Sequence, residues 1–485
     1  MPGYRGMVSQ SAAGRHRRSP TPGRGIDTRI GPPRRPQTPT KIPERSADDL
    51  PFTDLDAPGI ARALAQIVER PEDVADVFLE RREELELPPE DAAPGVRLRR
   101  EEGLAVRLTR GRKTWLASTD RLVAKDFQDA LRRVARAQPR LGYPLKQLQP
   151  SPWPEPPAAE EVLSFPAAVR RALRRRQARF RCRLVVRRHR RWLQVIGPRL
   201  ASPVEREAFY SVVAETPWTR HGVLLTRLDD EAADGVARRL VRAYHCRDAT
   251  PPEPWRGPCV LGPSAAAVLL HEAVAHALEA DTLAAGGHPE AAVGVALGAA
   301  GLDVVDDPTS APDAVRRTVD DEGMPALRRH LLRGGVVEQP LCDAVWARSS
   351  EVLAAGAGRR SDRHRPPAPR STHLELAPGE LAREELLAGA GGGLYLPVAE
   401  RGHLDPLSGR FVLRFPYGRR IRNQTAGEPV GPAAMHGRVA ELLQAITGIG
   451  SEARLAGAGW CAKGGMTLPV WATVPALRLE GVEVR

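Results

Sequence analysis

Apolar positions along this chain follow two periods, and the change from one to the other predicts its elements. Gly59–Val68 (GIARALAQIV) repeats at helical spacing, whereas Val74–Glu80 and Leu104–Leu108 alternate as strands do. Asp120–Ala135 returns to the helical period, with Asp120 placed as its N-cap. A Pro-rich break at Pro150–Pro157 precedes Ala167–Arg179, where Val169, Ala172 and Leu173 form a stripe among arginines. That pattern predicts a helix with one buried side and a solvated basic side. Cys182–Val186 reads as a strand continued by Trp192 and Leu193, and Asp229–Tyr244 as a further helix.

A second break, Thr250–Gly257 (TPPEPWRG), marks the main domain boundary. Beyond it lie a short strand (Cys259–Gly262), an Ala-rich helix running through His271, and many short alternating segments divided by Gly and Pro. A helix at Arg438–Ile446 and strands at Leu468–Val474 and Leu477–Val484 close the chain. The expected class is α+β in two domains: a mixed α/β domain over 51–250 and a strand-rich catalytic domain over 251–485. Residues 1–50 have no apolar period and read as a disordered basic tail.

Composition narrows the classes. With 485 residues and 42% hydrophobic content the chain can build real cores, which excludes wholesale disorder and a small disulfide scaffold. The five cysteines, Cys182, Cys246, Cys259, Cys342 and Cys461, are scattered with no CxxC pair, as in a reduced, cytoplasmic protein. No stretch approaches the roughly 20 apolar residues of a membrane helix, and no apolar segment follows the N-terminal arginines to make a secretory signal. The 72 Lys+Arg against 59 Asp+Glu give a net charge of +13. The basic residues are nearly all Arg, with lysine only at Lys41, Lys113, Lys125, Lys146 and Lys463. Two readings follow: a compositional bias toward Arg, or a nucleic-acid-associated binding protein using Val169–Trp192.

The chemistry sits in the segment from Val268 to Asp281 (VLLHEAVAHALEAD). Two imidazoles flank a carboxylate in an otherwise apolar helix, where each buried polar group costs free energy unless paired or metal-bound. His271 and His276 are five apart, so an ideal α-helix turns them roughly 140° away from each other. A π-type turn between them would bring both to one side, and such turns are frequent at functional sites. The remaining histidines (His16, His189, His221, His245, His288, His330, His364, His403 and His436) follow no metal-ligand spacing. The acidic runs Asp306-Asp307 and Asp320–Glu322 read as solvated turns, with cation binding as the alternative. No phosphate-cradling glycine loop is present.

In this context the chain resembles the TldD/PmbA family of metallopeptidases, on the TldD side that keeps the metal motif. The family's HExxGH helix with its following Glu and Asp is matched by His271–His276, Glu279 and Asp281. Its acidic–Gly–Pro signature is similar to Asp320–Pro325, followed by Leu331–Gly335. Pro367–Thr372 matches its P-x-P-R-x-T element, and Asp405–Phe411 its D-x-x-x-G-x-F stretch. Gly459-Trp-Cys-Ala-Lys463 resembles its Gly-x-Cys-Gly-Lys segment, Pro475–Val482 its ending, and Glu102–Arg107 its N-terminal strand. Ala275 and Ala462 replace family glycines, and Lys463-Gly-Gly-Met466 stands for Lys-Asp-Gly-Gln.

The resemblance implies a zinc-dependent (Zn²⁺) peptidase acting on short peptides or unfolded proteins. Its metal ligands would be His271, His276 and Cys461, with Cys461 carried on a flexible glycine-bounded loop. Glu272 would be the general base, Glu279 would orient a ligand imidazole, and Arg370 and His373 are the candidates for stabilising the oxyanion. It also implies a dimer with a TldE/PmbA-like homologue or with a second copy, no specific nucleic acid and no membrane. A non-catalytic subunit of such a heterodimer is a further alternative, against which the intact ligand set argues.

Overall fold

The computed structural model describes residues 52, 54–92, 95–135, 148–149, 152–153, 159–199, 201–287, 291–348, 354–456 and 459–485. The expected tail over 1–50, most of the Pro150–Pro157 break, His16 and His288 lie outside the described residues. The architecture is α+β, as the two periods predict.

In the N-terminal part an antiparallel sheet has six strands. These are β1 (Val74–Leu87), β2 (Arg97–Arg110), β3 (Lys113–Thr119), β4 (Arg183–Ile196), β5 (Glu205–Thr216) and β6 (Thr219–Leu225). Their order is β3-β2-β1-β4-β5-β6. The pleat sends alternate side chains to opposite faces. On one face Val77, Leu79, Val106 and Trp192 pack under helices α1 (Ala57–Ala65) and α2 (Ala124–Ala135). Leu85, Val186, Val212 and Ala214 on the same face pack under α3 (Glu160–Arg175) and α4 (Asp230–His245). The stripe of Val169, Ala172 and Leu173 is buried, and Arg171, Arg174 and Arg175 stay exposed, as the helical spacing predicts.

The opposite face is polar and still buried. Asp76, Glu80, Arg107, Arg191 and Glu207 project from it toward residues 317–363. Arg107 donates to Asp76 at 2.8 Å and to Glu322 at 2.7 Å. Arg317 donates to Glu207 at 2.8 Å and is paired with Asp321. Arg191 donates to Glu80 at 2.9 Å and lies 3.6 Å from Asp321. Asp320–Glu322 is therefore no solvated turn. Asp321 is fully buried, and nearby arginines hold its carboxyl well below the usual range despite that burial. Asp306 is buried as well, accepting from Ser371 at 2.8 Å and from the backbone of Thr372 and His373.

Two local readings are corrected. Helix α2 begins at Ala124, and Asp120 is bound by Arg363 instead of capping it. The β1–β2 hairpin is 14 residues long on each side, beyond the predicted Val74–Glu80 and Leu104–Leu108. The missed half is written in alternating charges whose register sets Glu83 opposite Arg100, Glu84 opposite Arg99 and Glu86 opposite Arg97. Such cross-strand pairs support a strand without an apolar signal.

The C-terminal part holds a nine-stranded and a seven-stranded sheet. The strands that build the site are β7 (Trp255–Leu261), β8 (Val304–Asp306), β9 (His373–Leu376), β10 (Arg401–Leu404), β11 (Gly459–Lys463), β12 (Met466–Val474) and β13 (Leu477–Val484). In the nine-stranded sheet β7 pairs antiparallel with β13, and β10 lies at one edge. In the other, β9 runs parallel to β12, and β11 folds back on β12 as a hairpin. The large apolar core lies around helix α5 (Pro263–Leu270) and draws on both sheets.

Candidate metal centre

Helix α5 starts where Pro263, at the first helical position, needs no amide partner, and Gly262 lets the chain pass against Pro397. Ala265, Ala266, Ala267, Leu269 and Leu270 are buried, so the helix is held by packing. It then changes winding. Residues His271–Ala275 form a π-helical turn, and the His276 amide donates to the His271 carbonyl, five residues back, at 3.1 Å. The predicted widening is present, and it cancels the angular mismatch between the two histidines: their ring centroids are 4.5 Å apart.

Cys461 arrives from 185 residues further along the chain, its Sγ 3.3 Å from His276 Nε2. The donor atoms of His271, His276 and Cys461 all lie within 4.8 Å of one another, and all three residues are buried. The expectation of a flexible loop around Cys461 is corrected: it is the central residue of strand β11, paired with Leu468. Gly464 and Gly465, at φ 60° and 73°, make the tight turn that lets β11 fold onto β12.

Electrostatics set the protonation of the two imidazoles apart. Burial pushes His271 down to about 3, with the neighbouring His276 adding to the effect. Both of its ring nitrogens are buried and have no hydrogen-bond partner among the described residues. An orphaned buried group costs about 1–3 kcal/mol. For His276, burial acts downward, but the Glu279 carboxylate and Cys461 outweigh it and raise the group to about 10. Its Nδ1 is 3.0 Å from Glu279 Oε1. Glu279, fully buried, is drawn down to about 2 by His276, Arg370 and Lys463 against its own desolvation. The arrangement fits a divalent ion of the zinc type: a neutral imidazole with unused nitrogens, a thiol, and an imidazole oriented by a carboxylate.

Glu272 follows His271 but is not among the clustered donors. It lies against β10, where a Cβ on Gly402 would come within 2.3 Å of Glu272 Cγ. Only a glycine there leaves the carboxylate its place. Burial pushes the Glu272 carboxyl up, while His276 and His403 pull it back.

Other expectations fare differently. Glu279 does orient His276. Arg370 reaches this region, but its Nη1 is committed to Glu279 at 3.3 Å and Asp281 at 3.2 Å. His373 is also committed, facing Thr473 at 3.0 Å. Three contributors had no role assigned from sequence: Lys463, which contacts Glu279 and Thr282, Gly402 and His403. The signal for Lys463 was present, since it stands two residues from Cys461 and so shares its side of a strand.

The arginines of β4, central to the nucleic-acid reading, are turned inward or paired. Arg187 meets Glu86, Arg188 meets Glu161, Arg190 meets Glu83, and Arg191 meets Glu80. Few of the cations on that strand remain for phosphates. The five cysteines are free thiols, and among the described residues no helix is long and apolar enough to cross a membrane.

Residues 255–485 match the PmbA/TldA metallopeptidase C-terminal domain. A "Metalloprotease TldD homolog" of Haemophilus influenzae is 32% identical over 234 residues, 47% of this chain and 48% of the relative. A "Zinc metalloprotease TldD homolog" of Saccharolobus solfataricus is 23% identical over 284 residues, 58% of this chain and 63% of that one. The chain thus spans about half the length of the curated relatives it matches. Among solved structures, TldE from Thermococcus kodakarensis superimposes with a TM-score of 0.67 at 16% identity, covering 88% of this chain and 99% of that one. At that identity the likeness is one of fold.

Proposed function

The chain is a member of the TldD/PmbA family, and on that premise we propose that it is a zinc-dependent peptidase whose metal is held by His271, His276 and Cys461. The observation that carries the reading is the buried cluster of three donors, one of them an imidazole with no protein partner for either nitrogen. Zinc there would supply Lewis acidity, activating a water and polarising the scissile carbonyl.

The rest of the chemistry falls to the protein's own groups. Glu272, with its carboxyl pushed up by burial, is suited to take a proton from the attacking water and pass it to the leaving amine. Glu279 keeps the Nδ1–H of His276 and so leaves Nε2 on the Cys461 side. The apolar surroundings of helix α5 keep bulk water away from these groups. The six-stranded part, 51–250, serves in this reading as scaffold, and 251–485 carries the catalysis. Substrates are short peptides or unfolded proteins in the cytoplasm. The working form pairs with a TldE/PmbA-like homologue or a second copy, with no specific nucleic acid and no membrane.

Metal analysis of the purified protein and three variants tests this. His276→Ala and Cys461→Ser should lose most of the zinc while staying folded; full metal content in both would show the site to be misassigned. Glu272→Gln should keep its zinc yet lose peptide cleavage by roughly 10²–10⁴-fold.

A further inference from the structure

Strand β11 touches the metal helix at two points. Cys461 and Lys463 are two residues apart on one strand, so both side chains leave the same face, about 6.6 Å apart along it. Cys461 meets His276, and Lys463 meets Glu279, three residues on, where the chain has left the π-turn and runs extended into the short helix Ala280–Ala284. Lys463 also donates to Thr282 Oγ1 at 2.6 Å and lies 4.0 Å from Asp281. Glu279 is thereby engaged by three cationic groups from three parts of the chain: His276, Arg370 and Lys463. The Lys463 ammonium is the one of these that comes from the strand bearing Cys461.

We propose that Lys463 is the latch that docks the Cys461 strand onto the metal helix. It is a positioning residue: through Glu279 it fixes the β11 hairpin so that the thiol faces His276 before any ion is bound. The physical reason is preorganisation. A hairpin that ends in two left-handed glycines has little of its own to hold its tip, since Gly464 and Gly465 contribute no side chain. The buried Glu279 carboxylate supplies a strong partner, and the ammonium at the tip answers it. Without Lys463 the site would have to order the strand at the moment of metal binding, and affinity would fall by that cost. This inference rests on the proposed metal reading and adds to it the residue that sets affinity without touching the ion.

The test is zinc affinity, measured by chelator competition on the full-length chain. Lys463→Met should weaken zinc binding by on the order of 10–100-fold, the usual loss when a group orienting a ligand is removed. Lys463→Arg, which keeps the charge, should restore most of it. In the cobalt-substituted protein, Lys463→Met should lose intensity in the sulfur-to-cobalt charge-transfer band, a readout of whether Cys461 is held at the metal. If Lys463→Met proves unstable, Thr282→Val removes only the hydroxyl that steadies the ammonium and should give a smaller loss in the same direction. Unchanged affinity in Lys463→Met, or equal losses in Lys463→Met and Lys463→Arg, would overturn the latch. A parent protein that binds no zinc would refute the metal reading itself and take the latch with it.

Discussion

Charged and polar side chains are buried around Asp321 and around His271, and the two regions are finished to different degrees. Around Asp321 nearly every charge has its opposite: Arg317, Arg191, Arg359 and Arg360 surround Asp321, and Glu207, Glu80 and Asp76 complete the lattice. The nitrogens left without a hydrogen bond, Arg359 Nε and Arg360 Nε and Nη1, still face compensating groups: Arg359 Nε is 3.8 Å from Asp321, and the Arg360 guanidinium lies over the Phe78 ring at 4.3 Å. Around His271 the count does not close. Both ring nitrogens are buried without a partner, next to a thiol and a second imidazole. A closed set holds the N-terminal sheet to residues 317–363. The open set carries a cost that the proposed zinc would relieve. The difference separates a structural network from a binding site more sharply than burial or charge does, since both regions are buried and both are polar.

The largest effect expected from breaking the closed set is at Asp321. Asp321→Ala would leave Arg317, Arg191 and Arg359 buried with too little negative charge. Removing one partner from a buried ion pair costs about 3–5 kcal/mol. Urea denaturation should show a loss of that order, with zinc content per folded molecule unchanged. A loss under about 1 kcal/mol would mean that water reaches the lattice and that its charges are not truly desolvated.

The open set should respond the other way. His271→Leu replaces the orphaned imidazole by an apolar side chain in an apolar core. In the metal-free protein this should raise stability by about 1–2 kcal/mol, since the cost of the unsatisfied nitrogens disappears. In the same variant zinc binding should be lost. Calorimetry with and without chelator separates the two effects. If the metal-free variant is instead destabilised, His271 is paying its way through packing, and the open character of the site is an illusion of the static structure.

Much of this was legible in the sequence, and the rest failed for identifiable reasons. The five-residue spacing of His271 and His276 required a widened turn, because geometry allows no other way to align them, and the turn is there. The strands Leu468–Val474 and Leu477–Val484 followed from alternation and match β12 and β13 to within two residues. The acidic run Asp320–Glu322 was misread because a carboxylate buried against arginines from distant strands has the same local pattern as a solvated one. Arg317 is a local partner, four residues before Asp321, but Arg107 and Arg191 lie up to 215 residues away and nothing local announces them. Cys461 was read as a loop because its glycines suggest flexibility, whereas they serve the turn of a hairpin. Arg370 was a candidate for stabilising the oxyanion, and its partners Glu279 and Asp281, distant in the chain, were not legible from the sequence.

The smallest effect expected is a graded one with pH, and it belongs to the rim of the closed set. Asp320 and Asp343 lie near Glu322, whose carboxylate accepts from Arg107 at 2.7 Å and from the Ala344 amide at 2.6 Å. Burial, reinforced by the Glu322 charge, raises Asp320 to about 8 and Asp343 to about 7. Both start from an ordinary value of 3.8. A carboxyl whose pKa is raised on folding binds its proton more tightly in the native state. Its contribution to stability is therefore complete below the unfolded value and is lost as pH rises through the folded one. Between about pH 4 and pH 8 stability should decline as the two carboxyls lose their protons, with roughly 1.4 kcal/mol per pH unit as the ceiling for each linked proton. Chelator must be present, because metal binding itself strengthens as ligands deprotonate and would tilt the profile the opposite way. Asp343→Asn isolates the cause. Its side-chain oxygen can still accept from the Val345 and Trp346 amides, as the carboxylate does at 3.0 and 2.9 Å, but it has no proton to lose. Melting temperatures of the metal-free protein from pH 5 to 9 should fall in the parent and fall less in Asp343→Asn. Parallel slopes in the two would place the titrating group elsewhere and remove Asp343 from the account.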